Sequence, residues 1–211
     1  MDIFFEGMLV DPALQAEIAA RCVAGNFGDE PGRAVHGLGR VNLPDSGEKP
    51  VWVCHAADSV LLDDCGQTVL ITRLHNPGRG KQALPGGLLD EVNGVAETSL
   101  AAALREAMEE TGIGAEVLAR ADIRQLGHRR FARPFDVRRA WNNLPGTPIA
   151  KDDLFTVSTL GFRIKIAGNL RDVALLAGDD ATAVNVMRIA DLTAEQFAVP
   201  DHLPMIHAAA G

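Results

Sequence analysis

This chain of 211 residues is short of several things, and each shortage narrows what it can be. No apolar run approaches the roughly 20 residues that a membrane-spanning helix requires. The opening residues, Met1-Asp2-Ile3-Phe4-Phe5-Glu6, carry neither the basic start nor the small-residue cleavage site of a secretory signal. A cytoplasmic protein is therefore expected. Positive charge is in deficit: 20 Lys and Arg face 28 Asp and Glu, for a net charge of −8. General nucleic-acid binding, which relies on basic surface to displace counterions, is disfavoured. An acidic surface suits an enzyme that meets anionic substrates through a bound cation, although acidity alone is ordinary. Cysteine is scarce, and Cys22, Cys54 and Cys65 form no Cys-x-x-Cys pair, which argues against a zinc ribbon. They read as reduced thiols packed in or near the core. There are no internal repeats.

What is present suits one medium domain, or one domain with a modest appendage. Apolar residues make up 47% of the chain, enough for a substantial core. Ile3-Phe4-Phe5 reads as a short strand. Asp11 can cap a helix with Pro12 in its first turn, and Leu14, Ile18 and Cys22 repeat at helical spacing. Residues 25–50 are rich in Gly, Pro, Asp and Asn and read as a loop or linker. The expected division is an extension over residues 1–50 and the main domain over 51–211. Strand-like segments follow at 51–55, 59–62 and 68–74, with Asp63-Asp64-Cys65-Gly66 as a hairpin turn. The strongest helix spans about 98–111, with Leu100, Leu104 and Met108 beside Ala103 and Ala107 as its apolar stripe and Gly112 as its stop. Further strands are expected at 116–119, 123–131, 155–166 and 183–189, and short helices at 194–198 and from Leu203. The class is α/β, a mixed β-sheet sandwiched between helices with a short N-terminal extension.

Glu106, Glu109 and Glu110 stand at i, i+3 and i+4, so their carboxylates share one helix face. Three like charges there raise one another's pKa unless a cation sits among them, and a hard divalent ion accepts such oxygen ligands. Most such strings are only solvated acidic faces. The surrounding frame changes the odds. It resembles the signature of the Nudix hydrolase family, G-x5-E-x7-R-E-U-x-E-E-x-G-U, where U is aliphatic. Seven residues separate Glu97 from Arg105-Glu106, Ala107 fills the first U, and Glu109-Glu110 and Gly112-Ile113 complete the box. Only the opening departs. The consensus Gly would fall at position 91, which is Glu91, whereas the Pro85-Gly86-Gly87 that starts the box ends four positions earlier (91 − 87 = 4). Residues 88–96 therefore read as a lengthened surface loop, which costs little closure entropy.

The resemblance implies a Nudix fold and the cofactor Mg²⁺, with Mn²⁺ as the alternative. It implies Glu106 and Glu110 as principal metal ligands and Glu109 as a further ligand or a holder of metal-bound water. Arg105 and Glu97 would pair and fix the loop to the helix; taken alone, Arg105 is a surface arginine in i+4 contact with Glu109. Gly86 and Gly87 would let backbone approach the metal or the pyrophosphate. Asp152, Asp153, Asp179 and Asp180 are candidates for the general base.

The substrate reading rests on weaker matches to the ADP-ribose pyrophosphatase branch and to the Nudix domain of bifunctional nicotinamide-mononucleotide adenylyltransferases. These are Arg73-Leu74-His75-Asn76-Pro77-Gly78-Arg79-Gly80, Phe135-Asp136 with Arg138-Arg139, Gly178-Asp179-Asp180-Ala181, and Asp201-His202. Residues 1–50 are too few for the adenylyltransferase domain and lack its phosphate-binding motif, so only the hydrolase is expected. In the basic run around Phe131, Arg133 and Arg138 are candidates to hold phosphate or ribose, and Phe131 or Trp141 to stack on adenine. The plainer alternative is a strand with core aromatics and a solvated Arg face. The implied reaction is hydrolysis of a nucleoside diphosphate linked to another moiety, ADP-ribose giving AMP and ribose 5-phosphate. A nucleoside-triphosphate or dinucleotide pyrophosphatase and a non-catalytic ADP-ribose-sensing module are the alternatives. The missing zinc-ribbon cysteines and Ser-Gln-Pro-Trp-Pro-Phe-Pro element disfavour an NADH pyrophosphatase. The expected partner is a nucleotide-type small molecule, with neither nucleic acid nor membrane. The N-terminal segment is a candidate homodimer contact or packs on its own domain.

Overall fold

The computed structural model describes residues 3–76, 78–132, 135–178 and 181–211. In chain order its strands are β1 (Phe4–Phe5), β2 (Met8–Leu9), β3 (Val35–Leu43), β4 (Gly47–Leu62), β5 (Gln67–Arg73), β6 (Gln82–Ala83), β7 (Gly86–Leu88), β8 (Glu91–Val92), β9 (Val95–Ala96), β10 (Asp122–Gln125), β11 (Arg130–Phe131), β12 (Arg138–Arg139), β13 (Leu154–Lys165) and β14 (Ala181–Arg188). The helices are α1 (Pro12–Gly25), α2 (Ser99–Thr111), α3 (Ala115–Leu118) and α4 (His202–Ala210). None of them is long and apolar enough to cross a membrane. The chain forms two compact units. One takes Met1–Ala56, Leu88–Glu97 and Arg129–Thr159; the other takes Ala57–Gly87, Thr98–His128 and Leu160–Gly211.

In the first unit, Asp11 caps α1 as expected, its Oδ1 accepting from the N–H groups of Ala13 and Leu14 at 2.9 Å. Ile18 and Cys22 face inward and join Leu9, Val41, Leu43, Val51, Val53, Val137 and Leu154 in one core. The stretch 25–50 is not a plain loop. It contains β3, which pairs antiparallel with β4, and residue 50 lies inside β4. A register shift between Gly37 and Arg40 interrupts the apolar alternation and hides the strand from a period count. The lengthened loop over 88–96 is an ordered hairpin of β8 and β9, turned by Asn93 (φ 54°) and Gly94 (φ 78°). Glu91 anchors it. Its Oε2 accepts from the Ala34 N–H at 2.9 Å and its Oε1 from Arg33 at 3.1 Å. The Ala34 N–H, with Arg33, holds this carboxyl below its usual range.

A hydrogen-bonded chain runs from half-buried His36 into the interior of the same unit. His36 Nδ1 and His55 Nε2 are 2.9 Å apart, and His55 Nδ1 lies 2.7 Å from Ser158 Oγ. Burial, then the Arg129 charge and His36, push the His55 imidazole from 6.5 down to about 3. In the unfolded chain this ring takes up its proton near pH 6.5, so acid favours unfolding. The stabilisation is complete above pH 6.5 and is lost as pH falls towards 3, at up to about 1.4 kcal/mol per pH unit. We expect the urea midpoint to fall between pH 7 and pH 5, and the fall to be shallower in His55→Gln. Equal slopes in the two proteins would remove His55 as the cause.

The second unit pairs β14 antiparallel along the length of β5, from Ala181↔Arg73 to Arg188↔Gln67. Strand β10 runs beside the end of β13. Val60, Leu62, Leu70, Leu84, Leu192, Phe197, Met205, Ile206 and Ala209 form its core. The Asp63-Asp64-Cys65-Gly66 turn forms as expected, with Asp63 Oδ1 accepting from the N–H groups of Cys65 and Gln67 at 2.8 Å. Three local expectations are corrected. Segments 51–55 and 59–62 are parts of one strand, β4, buried at every position from 53 to 62, so burial on both faces erases the alternation that marks a strand. Residues 116–119 form no strand: extended Gly114 leads into α3, with Glu116 in its first turn. The segment 123–131 is split into β10 and β11 around Gly127, at φ 72°. Cys22 and Cys54 are buried, which pushes their thiols up to about 12. Cys65 is exposed in its turn and does not pack in the core.

Candidate active site

Helix α2 begins where Thr98 Oγ1 accepts from the Ala101 N–H at 3.2 Å. It ends at Gly112, whose φ of 66° and N–H to Met108 close the last turn. Apart from Glu110, its buried residues are small: Ser99, Ala102, Ala103, Ala107 and Thr111. Leu100 and Met108, expected in the stripe, are exposed. The alanine face brings the helix backbone close to β4, near enough for Ser59 Oγ to donate to the Ala103 carbonyl at 2.7 Å. A Cβ at Gly178 would overlap the Glu109 carbonyl, and the Gly178 N–H donates to the Glu110 carbonyl at 3.2 Å.

The carboxylates of α2 meet the glycine turn, the bend between β6 and β7 that ends on Gly86 and Gly87 at the start of β7. Glu110, only 9% exposed, accepts the Gly86 N–H on Oε2 at 2.9 Å. A Cβ at Gly87 would overlap the Glu106 carboxylate, and one at Gly86 would overlap Asp58 Oδ1 and the Ala57 carbonyl. Arg105 Nη1 bridges Glu106 Oε1 at 2.8 Å and Glu109 Oε2 at 2.9 Å. The second of these is the i,i+4 contact on an exposed side chain, worth about 0.3–0.5 kcal/mol. Glu109 is therefore easily re-aimed, whereas Glu110 is fixed by backbone.

The model of the NUDIX domain matches residues 54–208, about three quarters of the chain. The chain belongs to the Nudix family. Its fold is accordingly the expected Nudix α/β fold. No curated protein matches it in sequence. Among solved structures it is similar to a bifunctional NMN adenylyltransferase/ADP ribose pyrophosphatase from Francisella tularensis, at 21% identity over 72% of this chain and 39% of that one, TM-score 0.46. It is similar to the NUDIX domain of Shewanella oneidensis NrtR complexed with ADP ribose, at 21% identity over 74% and 84% of the two chains, TM-score 0.49. It is also similar to a MutT/nudix family protein from Enterococcus faecalis, at 25% identity over 80% and 63%, TM-score 0.46. The chain thus spans less than half the length of the Francisella protein.

Among the described residues, no three His, Cys, Asp or Glu side chains already converge at metal-binding spacing. The donor chemistry of the Nudix box nevertheless fits a divalent cation. Glu106 and Glu110 offer hard oxygens on one helix face, and three carboxylates outnumber the single guanidinium of Arg105. The backbone at Gly87 approaches Glu106 as closely as only glycine allows.

Other described residues expected at the site belong to the first unit and have these contacts within it. Glu97 Oε1 accepts the Asp90 N–H at 2.9 Å in the first unit and closes the base of the β8–β9 hairpin. Arg138 is held by Asp136 Oδ2 through Nη2 at 2.6 Å and Nε at 3.2 Å. Trp141 is 71% exposed, with its indole against the Gly7 backbone. Phe131 stands edge-on to Phe135 at 5.7 Å and packs on the first core. Asp153 is engaged by Trp52 Nε1 at 2.9 Å and the Ala150 N–H at 3.1 Å, and Asp152 sits at φ 68°. Arg133, Asp179 and Asp180 lie outside the described residues. Sequence reasoning missed Asp58, whose carboxylate stands against Gly86. A carboxylate inside the apolar run of β4 is the signal that could have flagged it.

Proposed function

We propose that the chain is a Mg²⁺-dependent Nudix pyrophosphatase that hydrolyses a nucleoside diphosphate linked to another moiety, with ADP-ribose as the best-fitting substrate. The observation that carries this reading is the meeting of Glu106 and Glu110 with the Gly86-Gly87 backbone in a chain of this family. Glu106 and Glu110 would hold the ion and Glu109 would hold a further ligand position or a bound water. A divalent ion held there would offset charge on the diphosphate and make the attacking water more acidic. Arg105 restrains Glu106 and Glu109 from the flank. The glycines admit a diphosphate close to backbone, and the buried Glu110 is preorganised by the Gly86 N–H. Water attacks one phosphorus, the P–O–P bridge breaks, and ADP-ribose leaves as AMP and ribose 5-phosphate. We assign the chemistry to residues 51–211, with 1–50 as an extension to it in a cytoplasmic protein.

The test is a substrate panel with Mg²⁺, and Mn²⁺ in parallel: ADP-ribose, NADH, diadenosine polyphosphates and nucleoside triphosphates, with products resolved by chromatography. Release of AMP and ribose 5-phosphate from ADP-ribose is expected. Cleavage of a triphosphate or dinucleotide in its place would overturn the substrate. Calorimetric binding of ADP-ribose without turnover of any compound would make the protein a sensing module.

A further inference from the structure

The turn that carries Gly86 and Gly87 is fixed one residue at a time. The Ser59 N–H donates to the Pro85 carbonyl at 2.8 Å, and the Gly86 N–H is held by Glu110. Just ahead of them, the Leu84 N–H donates to Nδ1 of His202, the first residue of α4, at 3.0 Å. His202 is 6% exposed, and Phe197 stands edge-on to its ring at 6.3 Å. A ring nitrogen that accepts carries no proton, so the neutral ring bears its proton on Nε2. That nitrogen faces Asp58 Oδ2 at 3.8 Å, beyond a direct hydrogen bond and within electrostatic reach. The Oδ1 of the same carboxylate occupies the space that a Cβ at Gly86 would need. His202 thus holds the turn at Leu84 and Asp58 lies against it at Gly86, and neither belongs to the box.

We propose that His202, with Asp58 beside it, is a positioning residue for the metal-carboxylate site. By holding the Leu84 amide it sets the turn that aims the Gly86 N–H at Glu110 and seats Gly87 against Glu106. This inference rests on the pyrophosphatase reading above. Two substitutions separate the two ring nitrogens. Asn carries Oδ1 one bond beyond Cγ, where histidine has Nδ1, so His202→Asn keeps the acceptor for Leu84. Gln places its amide nitrogen near the position of Nε2, so His202→Gln keeps the donor towards Asp58 and loses that acceptor.

The experiment compares full-length wild type, His202→Ala, His202→Asn and His202→Gln. It measures amide hydrogen exchange at Leu84 and Gly86, Mn²⁺ affinity by calorimetry, and kcat and KM for ADP-ribose. In His202→Ala and His202→Gln, both amides should lose protection. Mn²⁺ affinity and kcat should fall about 10–100-fold, the usual scale for a residue that orients metal ligands, while KM changes little. His202→Asn should restore most of all three. If His202→Ala fails to fold, the contrast between Asn and Gln decides. Unchanged Mn²⁺ affinity in His202→Ala, or His202→Asn as impaired as His202→Gln, overturns the inference while wild type stays active. A wild-type protein that neither binds Mn²⁺ nor cleaves a diphosphate overturns the functional reading itself.

Discussion

Glu110→Gln should lower kcat on ADP-ribose by at least about 10²–10³-fold, the scale for losing one preorganised electrostatic group at a reacting phosphate, with little change in melting temperature. Glutamine has the shape of glutamate, and its Oε1 can still accept the Gly86 N–H that now reaches Glu110 at 2.9 Å. The backbone contact therefore survives and only the negative charge is lost. A hard divalent cation holds an anionic carboxylate far better than a neutral amide, so Mn²⁺ affinity should fall together with kcat. Glu109→Gln provides the internal scale. That side chain is 59% exposed and its bond to Arg105 is a weak surface pair, so its loss should cost less than that of Glu110. Steady-state kinetics, a thermal melt and a Mn²⁺ titration on both variants check the ordering. Full activity in Glu110→Gln would overturn the metal assignment.

Helix α2 was legible because its signals are local. Thr98, the carboxylate spacing and Gly112 all lie within one short stretch, and each acts on backbone a few residues away. Which face it buries was legible only in part: Ala103 and Ala107 are buried as expected, whereas Leu100 and Met108 are exposed. Leu100 and Met108 are the larger apolar side chains, yet the helix turns its alanines inward, because close approach to β4 leaves room only for small residues. Strand β3 was hidden by its register shift beyond Gly37, and β4 by burial on both faces. The stretch 88–96 reads as a plain loop, although its Asn93-Gly94 pair is a local signal of the hairpin turn that it forms. Its anchor, Glu91 on the Ala34 N–H, joins segments far apart in the chain and leaves no periodic trace. Asp58 and His202 escaped for the same reason: their relation exists only once β4, the glycine turn and α4 have folded together. Local chemistry is written in spacing, whereas contacts between distant segments are set by packing.

Two glycine substitutions should separate those levels at the candidate site. In neither Gly87 nor Gly178 is φ positive, so alanine meets no backbone strain and only the space around Cβ decides. At Gly87 a methyl group would meet the Glu106 carboxylate, with Cδ at 2.6 Å and Oε2 at 2.9 Å. A carboxylate can swing aside through its side-chain torsions, at a cost of about 0.5–1.5 kcal/mol if it leaves its rotamer well. Gly87→Ala should therefore stay folded, with a melting temperature within a few degrees of wild type, and lose most of its kcat because Glu106 no longer stands at the turn. At Gly178 the methyl group would overlap the Glu109 carbonyl and approach Glu110 Cα to 3.2 Å. Those atoms belong to the α2 backbone, which cannot move without breaking helical hydrogen bonds, and the Gly178 N–H bond to Glu110 would be lost as well. Overpacking of this kind costs about 1–3 kcal/mol or more, and in a chain of this length each kcal/mol lowers the melting temperature by about 2–4 °C. Gly178→Ala should show this drop together with weaker Mn²⁺ binding, since the segment that secures the end of α2 is displaced. Equal melting temperatures for the two variants would mean that the close approach at Gly178 does not secure α2. Wild-type kcat in Gly87→Ala would mean that Glu106 does not need its place beside the glycine turn.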